Sequence, residues 1–388
     1  MAGLGLWVAM AMAAACGDDG ASAVLPAHGR LLATPHARVT VTEIGHGPQS
    51  YWLMEPDAPR PARAPVVVLL HGWLAVNPAI YGAWIDHLAR RGFTVVFPRY
   101  QSEWLSSPAT YVPNAVAALR DALEVLEIGQ GRVRPDRNRV ALVGHSAGGN
   151  LAALLAVVAE QNGLPRPKAV VSLFPGEVRP VAGPDLSKLP PETLLVVAAA
   201  EQDLVVGDGR ARAIFRAGSL AVPPHRRLYV LYRSDWSGPF PIIAEHSVPY
   251  AARTGFDSGE GPFRLVQLNR AEVGWLDVAG TWRLTDLTLD AAFTGRSLAE
   301  GTGDGAWVRD LGHWADGRPI RPPIVSAFLD DVPRVHPING GRLIDWGDPL
   351  GLASGETVPG WSWPKRLPSD LPTSRPAVSA IAPAPAVR

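Results

Sequence analysis

"VALVGHSAGGN", residues 140–150, is an apolar run that stops on a serine set between glycines. Ser146, Ala147, Gly148 and Gly149 follow one another there, and so many small residues suit a strand interior poorly. The point therefore requires close backbone approach or unusual dihedrals. Gly144, Ser146 and Gly148 fit G-x-S-x-G, a pattern that three fixed positions alone make weak. Context strengthens it: a buried-strand pattern precedes, and the helix former "NLAALLAVVAE" follows. Strand, sharp turn and helix make a nucleophile elbow, whose hydroxyl projects over the end of a sheet and whose flanking glycines avoid the neighbouring strand and helix. The bland alternative is an ordinary turn with an incidental serine.

The surrounding chain repeats the strand half of that pattern. "VVVLL" (66–70), "TVVFP" (94–98), "VALV" (140–143), "AVVSLF" (169–174), "LLVVAAA" (194–200) and "LYVLY" (228–232) are short continuous apolar runs, as strands buried on both faces require. Between them, "AIYGAWIDHLARRG" and "NAVAALRDALEVLEIG" carry apolar residues at helical spacing and end in glycine. The alternation predicts an open, doubly wound α/β sheet. Earlier, "ARVTVTE" and "YWLME" alternate like half-buried strands around "IGHGPQS", which predicts an antiparallel hairpin. Later, Trp275, Ala279, Trp282, Leu289 and Phe293 fall roughly on one face of a late helix. The glycine-, proline- and tryptophan-rich remainder reads as an irregular packing layer.

A serine near neutral pH needs a base, and the base needs an orienting acid. Asp203 stands just past the apolar run 194–200, and His246 stands in a loop past the next run. Nucleophile, acid and histidine thus follow in the order expected of a hydrolase with such an elbow. Asp208 is expected to begin the next helix, where an acid favours the dipole, and Glu201 to be a solvated neighbour. His225 precedes its strand and belongs at the opposite sheet edge; His313 and His336 come after the late helix. His145 is expected to pack or hydrogen-bond beside the nucleophile without serving as the base. Two backbone donors for an oxyanion are expected at Ala147, which opens the helix after the elbow, and at Trp73, where His71 and Gly72 break a strand. Read blandly, "HGW" is only a strand-ending turn.

Composition narrows the partners. The chain has 388 residues, 47% of them hydrophobic, and 36 basic residues balance 36 acidic ones. No net field favours nucleic acid, and the basic clusters "RPDRNR" (134–139) and "HRR" (225–227) are expected to be solvated loops. No H-E-x-x-H, paired C-x-x-C or phosphate loop occurs, so neither metal nor nucleotide cofactor is implied. The one cysteine, Cys16, rules out an intrachain disulfide and follows an uncharged apolar run, residues 2–15. "AAAC" before "GDDG" resembles a lipoprotein box, although no lysine or arginine precedes the run. The expectation is a lipidated Cys16 tethering an exported protein to the cell envelope, with a soluble secreted or periplasmic chain as the alternative.

"LLHGW", "HLARRGFTVVFPRYQ", "LVGHSAGG", "AAEQDLVVGD" and "EHSVPY" together resemble the α/β-hydrolase superfamily, specifically its chlorophyllase-like, cutinase-like and dienelactone-hydrolase-like bacterial branch, over roughly residues 64–250. The resemblance implies a cofactor-free serine hydrolase of carboxylic esters, with Ser146, Asp203 and His246 as triad and Trp73 with Ala147 as oxyanion donors. Its substrate would be a small-molecule or lipid-like ester. A peptidase or acyltransferase with the same triad, and a non-catalytic binding protein on this scaffold, are the alternatives. Secreted cutinases commonly carry a disulfide, so a polyester-hydrolysing role lacks support. The chain also runs well over a hundred residues past His246, and 251–274 or 296–345 could cover the site. The expected organisation is a leader (1–16), a linker (17–36), a hydrolase domain (37–295), an extension packed on it (296–363) and a proline-rich tail (364–388).

Overall fold

Each continuous apolar run becomes a buried strand of one sheet. In chain order the strands are β1 (Arg38–Ile44), β2 (Tyr51–Asp57), β3 (Arg63–Leu70), β4 (Thr94–Pro98), β5 (Arg134–His145), β6 (Ala169–Leu173), β7 (Leu194–Ala200), β8 (Arg227–Tyr232) and β9 (Ile324–Ser326). Their order across the sheet is β1-β2-β4-β3-β5-β6-β7-β8-β9. The six strands from β4 to β8 run parallel, while the expected hairpin β1–β2 and the last strand β9 add antiparallel edges. The computed structural model describes residues 33–101, 106–177, 183–238 and 240–335. Cys16 and the leader, most of the linker, His336 and the rest of 336–363, and the tail lie outside the described residues. No helix among the described residues is long and apolar enough to cross a membrane.

Strand alternation divides the core in two. Val67 and Leu69, Ala141 and Val143, and Val196 and Ala198 face one layer, built by α1 (Gly82–Arg90) and later residues that include Leu276, Trp282 and Leu289. Val66 and Val68, Val140 and Leu142, and Leu195 and Val197 face the other, covered by α2 (Tyr111–Ile128), α3 (Ala147–Val158) and α4 (Gly209–Gly218). Helices on both faces leave the carboxyl ends of the parallel strands as the open edge, where α/β folds bind ligands. Four non-glycine residues with positive φ lie just after those ends: Leu74 (60°), Tyr100 (37°), Ser146 (55°) and Phe174 (45°). Such strain persists only where the surroundings enforce it.

Three sequence expectations change. "RPDRNR" is no loop: Arg63, Ala64 and Pro65 pair with Arg134, Pro135 and Asp136, so β5 begins early, and the register shifts between Pro65 and Val66 before the buried pairing starts. Its polar side chains reach past the core, and Asp136 ties back to Arg139 Nε at 2.6 Å. Arg227 of "HRR" likewise opens β8. The late helix starts as a π-helical segment, Leu276–Trp282, and becomes α-helical only over Arg283–Phe293, which is why one 3.6-residue face describes it only roughly.

Residues 296–335 pack on the preceding part of the chain. The helix Leu298–Thr302 sits so close to Arg283–Phe293 that a Cβ on Gly301 would stand 2.4 Å from the Cβ of Ala291. Arg283, buried, donates to the carbonyls of Trp307 and Asp310, and Arg309 Nη2 donates to Val325 O at 2.8 Å. In this irregular layer arginine donors satisfy backbone carbonyls that no ladder reaches.

Candidate active site

Ser146 stands between β5 and α3 with φ 55° and ψ −123°. Both flanking glycines are required sterically. A Cβ on Gly148 would lie 2.1 Å from Leu70 O and 2.4 Å from His71 O, and one on Gly144 would lie 2.1 Å from Gly148 O. The obstacles are backbone and cannot swing away. Ser146 N donates to Leu173 O at 3.0 Å and Gly176 N to Ser146 O at 3.0 Å, so the turn is stitched to β6 as well.

The structure brings three of the sequence-expected residues together. His246 Nε2 lies 3.0 Å from Ser146 Oγ, and His246 Nδ1 lies 2.7 Å from Asp203 Oδ2. A carboxylate only accepts, so Nδ1 carries the proton and the Nε2 lone pair faces the serine hydroxyl. Asp203 Oδ1 accepts from the amides of Val205 at 3.0 Å and Val206 at 2.9 Å. Its side chain is fully buried and that of His246 is 11% exposed, so the two amides and the imidazole are the partners that meet its oxygens.

Ala147 is the first residue of α3, so its N–H has no acceptor within the helix and lies at the positive end of the dipole. The Trp73 turn abuts the elbow: a Cβ on Gly72 would meet Ser146 Cβ at 3.4 Å. Amides on either side of Trp73 are fixed, Gly72 N to the Tyr81 hydroxyl at 2.8 Å and Leu74 N to Gln101 Oε1 at 3.0 Å. Asn77 fastens the following residues to the segment 257–260, donating through Nδ2 to Asp257 Oδ1 at 2.7 Å and to Glu260 O at 3.1 Å. Phe263, three residues past that segment, lies with its ring centroid 6.4 Å from that of Trp73.

Other candidates fall elsewhere. Asp208 does precede α4, yet its side chain makes no capping bond; it accepts from Arg212 Nε at 2.5 Å and Val335 N at 3.1 Å. Glu201 is part-exposed, as expected, and is also bridged by Arg321 at 3.0 Å. His225 precedes β8 in an exposed turn, and His313 is exposed in a bridge with Pro319. His145 is buried beside the serine, its Nδ1 2.9 Å from the Tyr81 hydroxyl and its Nε2 2.9 Å from His246 O. Burial first, and then the His246 ring, holds its pKa well below the usual 6.5.

Sequence reading missed Tyr81, Gln101, Asn77 and Asp235. Asp235 anchors the loop that carries His246: it pairs with Ile242 and accepts from Ser237 N (2.8 Å), Ser237 Oγ (2.6 Å), Arg321 N (2.8 Å) and Trp314 Nε1 (3.1 Å). Burial would raise its pKa, but these donors outweigh it and hold the carboxyl at about 2. The stretch "SDWSG" around Asp235 is a local turn pattern that could have pointed to it. Among the described residues no group of three or more histidines, cysteines or acids is placed to hold a metal ion.

Comparison with known proteins agrees with this architecture. Residues 67–186 match a family described as having the alpha/beta hydrolase fold. A methylphloroacetophenone synthase of Cladonia uncialis is 26% identical over 219 residues, 52% of this chain and 8% of that protein. A putative alpha/beta hydrolase of Acanthamoeba polyphaga mimivirus is 29% identical over 116 residues, 29% of this chain and 32% of its own. Chlorophyllase-2 of Arabidopsis thaliana is 31% identical over 98 residues, 24% of this chain and 29% of its own. The chain spans a third or less of the length of these relatives. With the parallel sheet, the strand-turn-helix at Ser146 and the matched segment in agreement, the chain has the α/β-hydrolase fold.

Proposed function

We propose that this hydrolase cleaves carboxylic esters through an acyl-enzyme on Ser146. The observation that carries the reading is the continuous hydrogen-bonded line from Ser146 Oγ through His246 to Asp203, at 3.0 and 2.7 Å. His246 Nε2 takes the hydroxyl proton as Oγ attacks the ester carbonyl carbon. The carbonyl oxygen becomes an oxyanion facing the amides of Ala147 and Trp73, where preorganised donors act on charge that develops only in the transition state. The imidazolium, balanced by Asp203, returns its proton to the departing alkoxide oxygen. Water then gives a proton to His246 as it attacks the acyl carbon, and the imidazolium returns that proton to Ser146 Oγ as the carboxylic acid departs.

The same line would serve a peptidase or acyltransferase, which differ in leaving group and acceptor. An ester is the less demanding substrate because its carbonyl is less resonance-stabilised than an amide's and an alkoxide leaves more readily than an amide anion. The test measures hydrolysis of 4-nitrophenyl and simple alkyl esters by wild type and Ser146→Ala. Loss of roughly 10,000-fold in the variant is expected; equal rates would overturn the reading, and faster release of an added alcohol's ester would assign acyl transfer. Lipidation at Cys16, with attachment to the cell envelope, is a separate proposal resting on the sequence "AAACGDDG". Its check is whether Cys16→Ser moves the protein out of the membrane fraction.

A further inference from the structure

We propose that His145, the residue inside the elbow, is a positioning residue: as a neutral Nε2-protonated imidazole it clamps the backbone of His246 to the Trp73 turn through Tyr81. The inference rests on the triad reading above and assigns a further residue to it.

The hydrogen-bond directions are forced. His246 O is a carbonyl and can only accept, so His145 Nε2, 2.9 Å away, must carry a proton. A ring neutral under ordinary conditions then has a bare Nδ1, which accepts from the Tyr81 hydroxyl at 2.9 Å. The Tyr81 oxygen in turn accepts from Gly72 N at 2.8 Å. Every donor in this path has one acceptor: Gly72 N–H to Tyr81, Tyr81 O–H to His145, His145 N–H to His246. One end is the turn proposed to bind the oxyanion and the other is the residue proposed as base, so the path joins two parts whose spacing decides catalysis.

Burial protects this arrangement. Ring edges surround His145, with Tyr250 at 5.2 Å, Tyr81 at 5.9 Å and Phe174 at 6.3 Å between centroids. The His246 ring lies 4.8 Å away. A second positive charge there would oppose the imidazolium that His246 becomes during turnover, so neutrality of His145 is part of its role. The loop around His246 has no regular structure from 243 to 253. Its other main-chain ties include Gln202 N to Ala244 O (2.9 Å) and Ala251 N to Ile80 O (2.7 Å), leaving His145 as the tie on His246 O itself.

The test has two parts on the full chain. First, two-bond 1H–15N correlation on 15N-histidine-labelled protein, with the signal assigned by its loss in His145→Gln, is expected to report an Nε2–H tautomer at neutral pH; an Nδ1–H tautomer or an imidazolium overturns the proposal. Second, ester hydrolysis is compared among variants. Gln sets an amide N–H near the lost Nε2, so His145→Gln is expected to keep kcat within about 3-fold, while His145→Leu loses roughly 10-fold or more in kcat at nearly unchanged KM. Tyr81→Phe, which removes the other leg alone, should fall between. Equal kcat for folded Gln and Leu variants would assign His145 a packing role only and sink the proposal. Should wild type hydrolyse no ester, the triad reading fails, whereas the tautomer measurement still judges the clamp.

Discussion

Ser146 and His246 meet at 3.0 Å but are held by different means. The serine sits at a strand end, its strained turn enforced by glycines packed against backbone. The histidine sits on an irregular loop, held by side chains: Asp235 gathering four donors, Ser234 Oγ accepting from Ala244 N at 2.9 Å, and His145 on the His246 carbonyl. Backbone-packed geometry should fail all at once when disturbed, and loop geometry held by side chains should fail by degrees.

The largest effect is therefore expected at the strand end. Gly148→Ala forces a Cβ against two carbonyl oxygens and should destabilise the fold by more than about 3 kcal/mol, read as loss of soluble protein or a collapsed melting midpoint. Next, Asp203→Asn should leave the fold near wild type while lowering kcat roughly 10,000-fold, because the amide no longer fixes the Nδ1–H tautomer. On the loop side, Asp235→Asn turns an all-acceptor carboxylate into a group whose NH2 faces the donors Trp314 Nε1 and Arg321 N. A stability loss of about 2 kcal/mol is expected with graded loss of kcat, measured by denaturant melts beside kinetics.

The smallest effect is the pH response of the strand-end side. His71 is lowered to about 4 by burial, and His145 is held well below its usual value by burial and then the His246 ring. In the unfolded chain both take up protons near 6.5, while in the folded chain His71 resists until about 4 and His145 is likewise held well below its usual value. Their contribution to stability is therefore complete above 6.5 and declines as the pH falls toward 4. Melting midpoints measured between those values should fall with acid, and His71→Gln should flatten the decline.

The contrast also governs what could be read from sequence. Strand ends announce themselves, since continuous apolar runs, glycines at 144 and 148 and the positions of Asp203 and His246 are local patterns. The sheet and the residues that meet at Ser146 were accordingly legible. The supports of the loop were not: Asp235 finds Trp314 and Arg321 about 80 residues on, and Tyr81 finds His145 across 64. Such pairings are set by tertiary packing, and no spacing rule encodes them. "RPDRNR" misled for a related reason, because polar residues on an overhanging strand look like loop until β3 is seen alongside.

The central claim is that His246 activates Ser146, and fluorophosphonate labelling with intact-mass detection and peptide mapping tests it most directly. The account predicts a single adduct on Ser146 in wild type, formed far more slowly in folded His246→Ala. An adduct elsewhere, or equal labelling rates in the two proteins, would contradict it.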